Sequence, residues 1–123
     1  MLQIRREFDL HVEVVKFIRE KYPEAVLLPG LGEFQETGDV RIKAWQKGYT
    51  SGQPDLLILS PANPAYIGLA IEFKHPSGKM TTTDNQDRFL KHLRSVGVKT
   101  LVSHSFPEII TELAHYFGKG EDL

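Results

Sequence analysis

Residues 52–74 read GQPDLLILSPANPAYIGLAIEFK, and the reading of this stretch decides the fold. Leu56, Leu57, Ile58 and Leu59 form a continuous apolar run, the pattern of a short strand covered on both faces. Residues 60–64, SPANP, are dense in turn formers and break the chain. Residues 66–73 then read as a second strand, with Ile67, Leu69 and Ile71 alternating toward one face. Glu72 and Lys74 are two apart, so both side chains leave that strand on the same side. An antiparallel pairing brings Asp55 close to them if the turn sets the register.

A buried hairpin has little structural reason to carry an acid at the start of one strand and an acid and an amine at the end of the next. Two carboxylates and a main-chain carbonyl make a hard oxygen site suited to Mg²⁺ or Mn²⁺. A lysine beside such a site can hold a hydroxide or stabilise charge on a phosphate. A bare Glu-x-Lys is common and is usually a solvated strand face. With Gly52-x-Pro54-Asp55 placed ahead of the apolar run, the site is the better account.

Gly52-Gln53-Pro54-Asp55 followed by Glu72-Phe73-Lys74 resembles the PD-(D/E)XK nuclease signature. More narrowly, nearly the whole chain resembles a stand-alone VRR-NUC domain of the viral, phage and bacterial type. The resemblance implies a restriction-endonuclease-like core and cleavage of branched DNA. It implies Asp55 and Glu72 as metal ligands, the Phe73 carbonyl as a third, and Lys74 facing the attacking water. For stand-alone members it implies four-way junctions cut by a homodimer, with 5′-phosphate products.

The 123 residues make one domain, 1–123, able to bury a modest core. With 41% hydrophobic and 25% charged residues the composition is that of an ordinary soluble globular protein. There is no cysteine, hence no disulfide and no thiolate metal site. No apolar run approaches membrane-spanning length and the start of the chain is no signal peptide, so a cytoplasmic location in a bacterium or infected cell is expected. The net charge of −1 is unusual for a protein that binds DNA non-specifically. The distribution matters more: residues 74–99 carry six Lys/Arg against two acids, whereas 100–123 carry one Lys against four acids. The candidates for DNA-backbone contact are Lys47, Lys79, Arg88, Lys91 and Arg94.

Outward from the central stretch, residues 3–22 have helical spacing, with Phe8, Val12, Val15, Ile18 (or Arg19) and Tyr22 as apolar positions and Pro23 as a stop. Glu7 and His11 share a face that also carries Val14 and Ile18 and so points inward, and an acid there wants a partner or a metal. The resembled family has a glutamate and, four residues on, a glutamine near the metal. Glu7 matches the first, and His11 departs from the second. Residues 25–28 form a strand candidate, and Gly30 and Gly32 serve a tight turn. Residues 33–47 read as loop and then a helix from about Asp39, with Trp45 as a core residue. Lys47-Gly48 matches a Lys-Gly pair of the family.

His75 reads as a surface residue. One of the residues 81–84 should cap a helix over about 85–96, stopped by Gly97, with Phe89, Leu90 and Leu93 inward. Gln86, in its first turn, reaches back toward the strand ends. It matches a family glutamine that orients the water or the lysine. Residues 99–103 are a further strand. His104 reads as structural or surface. A last helix opens at Phe106-Pro107, with Ile109, Ile110, Leu113 and Phe117 as its apolar side.

The expected fold is α/β, a mixed sheet of about four strands flanked by helices, with a crossover from the Glu72 strand through the Gln86 helix to a parallel strand. The expected activity is Mg²⁺- or Mn²⁺-dependent hydrolysis of branched DNA. Asp55, Glu72, Lys74, Gln86 and Glu7 are its catalytic residues, and Asp55, Glu72, Phe73 and Glu7 its metal-holding ones. A flap-, nick- or restriction-directed nuclease of the same fold, or a DNA-binding module without turnover, are the alternatives.

Overall fold

A computed structural model describes residues 3–30, 37–60 and 63–118. The elements in chain order are α1 (Glu7–Lys21), β1 (Val26–Pro29), α2 (Gly38–Gln46), β2 (Leu56–Leu59), β3 (Gly68–Phe73), α3 (Asp84–Ser95), β4 (Val98–Ser103) and α4 (Phe106–Phe117). The strands form one four-stranded sheet in the order β1-β2-β3-β4. β1 with β2 and β2 with β3 are antiparallel, and β3 with β4 is parallel. The result is the mixed sheet with flanking helices expected from the sequence, including the parallel return through α3.

Alternation along the strands sorts the two faces. Ile58, Leu69, Ile71 and Phe73 pack with Leu10, Val14, Ile18 and Tyr22 of α1 and with Ile109, Leu113, Tyr116 and Phe117 of α4. The Tyr22 and Phe117 rings stack at 3.9 Å across the two helices. On the other face Leu28 and Leu57 look toward Phe89 and Leu93 of α3 across a recess of about 230 Å³.

β3 is buried along its full length, so it is the central strand around which both layers close. It begins at Gly68, later than the apolar pattern suggests. Tyr66 and Ile67 precede it and lie exposed, and only Leu69 and Ile71 of the expected alternation reach the core. Gly68 is needed there because a Cβ would press on the Ile58 carbonyl and the Leu59 side chain, 3.0 and 3.1 Å away.

In α1 the buried stripe is Leu10, Val14, Ile18, with Tyr22 at the C-cap, while Phe8 is exposed and Val12 and Val15 are half-buried. The expected stripe beginning at Phe8 is therefore rotated by about a quarter turn, with Ile18 and Tyr22 common to both. The run is apolar on more than one side, and the sheet takes the side whose spacing is a regular four.

α2 begins one residue before the expected Asp39, capped by Thr37, whose hydroxyl accepts the Val40 N–H at 3.2 Å. It buries no residue, and Trp45 is 69% exposed rather than a core residue. Residues 31–36, which include Gly32 and the expected loop from 33, lie outside the described residues, as do 61–62 of the central turn and the tail from 119.

α3 carries the expected cap. The Thr83 hydroxyl accepts the Gln86 N–H at 3.1 Å, and Gln86 Oε1 accepts the Thr83 N–H at 3.0 Å. Gly97 follows the helix with φ +99°, the left-handed conformation that ends it. α4 opens behind Ser105, whose hydroxyl accepts the Glu108 N–H. Its buried side adds Ala114 and Tyr116 to the expected positions, with Ile110 only half-buried.

Candidate active site

The register of the β2–β3 pair builds the site. Leu56 faces Ile71, so one step further Asp55 stands opposite Glu72, where the ladder ends. Asp55 replaces the ladder with its side chain: Oδ2 accepts the Phe73 N–H at 2.8 Å. Its main-chain carbonyl accepts the Gly30 N–H at 2.8 Å on the other side. Asp55 is thereby held from both neighbouring strands. Gly30 lies so close to this bend that a Cβ would meet the Pro54 carbonyl oxygen at 2.3 Å. The glycine read as a turn residue is thus a packing requirement of the site.

Lys74 follows directly on β3, and its N–H donates to the Ser103 carbonyl at 2.9 Å. Glu72 is buried, and Lys74 Nζ lies 3.7 Å from Glu72 Oε2. Gln86 comes between them from the first turn of α3. Its Nε2 donates to Glu72 Oε2 at 2.9 Å, and its Oε1 accepts from Lys74 Nζ at 3.1 Å. The loop ahead of Asp55 docks on the same turn of α3. Gly52 has φ +94°, and a Cβ on it would sit 2.4 Å from the Asn85 carbonyl group. Asn85 Nδ2 also donates to Ser51 Oγ at 3.2 Å. Gly52 therefore lets the Asp55 loop and the Gln86 turn touch.

The electrostatics follow from this crowding. Burial, and then the Asp55 charge beside it, push the Glu72 carboxyl up to about 8, with Lys74 opposing. Burial also raises Asp55, against the lowering effects of the Phe73 N–H and of His11. The Lys74 ammonium does not offset the buried Glu72 and the half-buried Asp55 beside it.

That donor set suits a divalent cation: two carboxylates at the end of a strand pair, with the Phe73 main chain beside them, form a hard, electron-rich oxygen group short of positive charge. Among the described residues, no three His, Cys, Asp or Glu side chains stand together as a ready-made metal cage.

Glu7 is exposed at the start of α1. It lines a recess of about 50 Å³ with Phe8, His11, Asp55 and Phe73, and its charge acts on both Asp55 and Glu72. His11, whose place the sequence left open, stands in the same recess with its ring 4.6 Å from that of Phe73. The available signal was its spacing of four from Glu7 on the inward side of the helix.

The remaining histidines lie apart from these carboxylates in the bonding pattern. His75 Nδ1 accepts the Ser77 N–H, and His104 Nδ1 bonds the Pro76 carbonyl at 3.1 Å, pinning the turn after Lys74.

The basic residues divide. Lys47, Lys79 and Lys91 are exposed, and Lys47 borders an open groove of about 530 Å³ beside α2. Arg88 donates to Asn85 Oδ1 and borders a groove with Thr50 and Ser51. Arg94 is tied back to Thr100 Oγ1 at 2.9 Å rather than standing free. No helix among the described residues is long and apolar enough to cross a membrane.

Comparison with known proteins bears on the whole chain. A solved structure, a VRR-NUC domain protein, superposes with a TM-score of 0.73 at 21% identity, covering 97% of this chain and 93% of the other. No curated protein matches the chain. The VRR-NUC domain model matches residues 11–107. That span takes in Asp55, Glu72, Lys74 and Gln86 and leaves out Glu7. With most of its length matched in this way, the chain belongs to the VRR-NUC family of DNA-processing nuclease domains.

Proposed function

We propose that this protein is a metal-dependent endonuclease that hydrolyses phosphodiester bonds in branched DNA, four-way junctions first among them. The observation that carries the reading is the convergence of Asp55, held by the Phe73 N–H, with Glu72 and Lys74, bridged by Gln86, at the open end of the β2–β3 pair. Asp55, Glu72 and the Phe73 carbonyl would hold Mg²⁺ or Mn²⁺. Bound there, the cation supplies charge neutralisation at the phosphate and lowers the pKa of a water.

The chain's own residues do the rest. Lys74 donates a hydrogen bond to the attacking water and so aims it at phosphorus. Gln86 fixes where the Lys74 ammonium sits, because its Oε1 is held in turn by the Thr83 N–H. Glu7 orders water at the mouth of the recess. Lys47, Lys79, Lys91 and Arg88 meet the DNA backbone, and Arg94 braces α3 against β4. The described residues form one such centre, and symmetric incision of a junction needs two, so the working form is a homodimer. The exposed Val40, Ile42 and Trp45 of α2 provide apolar surface for pairing.

Cleavage of labelled four-way, flap, nicked and linear DNA in Mg²⁺, Mn²⁺ or chelator tests this reading. Activity should require the cation, favour the four-way substrate, and vanish in Asp55→Ala. Activity that persists in chelator would refute the metal-dependent reading. Preference for flap or nicked DNA would move the protein to the other substrate class. Binding without cleavage on every substrate would make it a DNA-binding module.

A further inference from the structure

We propose that the groove between residues 50–51 and α3 seats one backbone phosphate of the substrate strand, close to the scissile one. Arg88 supplies the charge there, and His92, Thr50 and Ser51 supply further hydrogen-bond donors. This rests on the DNA-cleaving reading above and goes beyond it by saying where the cut strand lies.

The spacing on α3 prepares the groove. Asn85, Arg88, Phe89 and His92 share one face of the helix, and with Thr50 and Ser51 they line a groove of about 220 Å³. No acid is among them. Asp87, the neighbouring acid on α3, accepts instead from the Thr82 hydroxyl. The two walls are tied together, since Asn85 Nδ2 donates to Ser51 Oγ at 3.2 Å and Asn85 Oδ1 accepts from Arg88 Nη2 at 2.5 Å. That bond fixes one end of the guanidinium and leaves the rest of its planar fork of donors to face the groove. The hydroxyls of Thr50 and Ser51 each have an O–H to give, and imidazole keeps an N–H in every tautomer. A lining of donors around one permanent cation suits an anion that only accepts, as a phosphodiester does. The Phe89 ring gives the adjoining sugar an apolar wall.

The groove also stands at a fixed distance from the proposed chemistry. Gly52 packs on the Asn85 carbonyl and its chain runs on to Asp55. Gln86, next to Asn85, holds Glu72 and Lys74. A helix rises about 1.5 Å per residue, so Arg88 and His92 stand about 3 and 9 Å beyond Gln86 along its axis. A DNA strand carries a phosphate every 3.4 Å or so of duplex axis, which puts the seated phosphate about one to three positions from the cut. Held there, it spans the Asp55 loop and α3 and sets which bond reaches Lys74.

The test uses four-way DNA in which one neutral methylphosphonate is moved position by position along the cut strand. Each substrate is titrated in Mg²⁺ against full-length Asp55→Asn protein, which should hold it uncut, with and without Arg88→Ala and His92→Ala together. Both side chains are exposed, so the fold should be kept, and melting temperature checks this. With Arg88 and His92 present, a methylphosphonate within about three positions of the cut should weaken binding about tenfold, the loss of a hydrogen-bonded charge. The same substitution should be silent in the double variant, whose salt slope should fall by about one phosphate contact. Equal losses in both proteins at every position, or an unchanged salt slope, overturn the seat even where the wild type cuts the junction. Wild-type protein that neither binds nor cuts any DNA overturns the reading beneath it.

Discussion

The Gln86 amide donates to Glu72 Oε2 at 2.9 Å while its other end receives Lys74 Nζ at 3.1 Å. One neutral side chain thus bridges an acid and an amine that lie 3.7 Å apart as an ion pair, and fixes both ends of it. Gln86→Ala removes the bridge but neither chemical group. Single-turnover cleavage should fall by about 10- to 100-fold, with DNA binding retained. Gln86→Glu should be worse than alanine, since it places a third carboxylate against Glu72. Equal activity of the two variants would contradict the bridging role.

Asp55→Ala, Glu72→Ala and Lys74→Ala address the groups themselves. Each should lower the cleavage rate by at least about 10²- to 10³-fold, the cost of removing a preorganised charge-stabilising group. His104→Ala, which loses only the contact to the Pro76 carbonyl, should stay within a few-fold of wild type, approximately the effect of loosening a turn. Full activity in any of the first three would strip that residue of its role.

Gly52 and Gly48 form a matched pair of backbone tests. Both have positive φ, +94° and +110°, but a Cβ meets the Asn85 carbonyl at Gly52 and open space at Gly48. Gly48→Ala should cost about 1–2 kcal/mol, the strain of a left-handed residue. Gly52→Ala adds a backbone clash and should cost more than about 3 kcal/mol. It should also depress cleavage at temperatures where the variant is still folded, by moving Gln86 off Glu72. Urea denaturation and cleavage at low temperature measure the two effects, and similar costs at both positions would discount the contact with α3.

The metal-free protein should lose stability as pH rises. Glu72 has an ordinary value of 4.5 and is raised to about 8 in the fold, so between these values the unfolded chain has released a proton that the folded one keeps. The stabilisation is complete below about 4.5 and gone above about 8. Asp55, also raised, has the same sign. The other carboxyl with a resolved shift, Asp9, is lowered to about 2 and titrates below this window. In chelator the melting temperature should therefore fall between pH 5 and 8.5, a range set from these shifts. Glu72→Gln should flatten the profile, and a wild-type profile that is already flat would argue against a raised Glu72.

The basic face should separate by residue. Lys91 is exposed on α3, and Lys91→Ala should lower the salt dependence of DNA binding by about one phosphate contact. Arg94 is bonded to Thr100, so Arg94→Ala should act mainly on thermal stability and leave the salt slope near wild type.

Much of this was legible in the chain. The two apolar runs, the proline-rich break between them and the acids at their ends follow local rules of pleat and turn, which is why the hairpin, the Thr83 cap and the Gly97 stop could be read from neighbours in sequence. The side of α1 that turns inward could not, because several of its sides are apolar and only the sheet chooses among them. Trp45 could not either: a large apolar residue at helical spacing looks buried until its helix is seen to bury none of its residues.

The site shows the same division. By itself the sequence determined that Asp55, Glu72, Lys74 and Gln86 exist at the ends of regular elements, since composition and spacing are local. Tertiary structure decided how they meet: that the ladder stops one residue short and gives its place to the Asp55 carboxylate, that Gly30 and Gly52 permit two backbone approaches, and that His11 faces the same acid from α1. Those are contacts between segments far apart in the chain, and their geometry is set by packing, which no local pattern encodes.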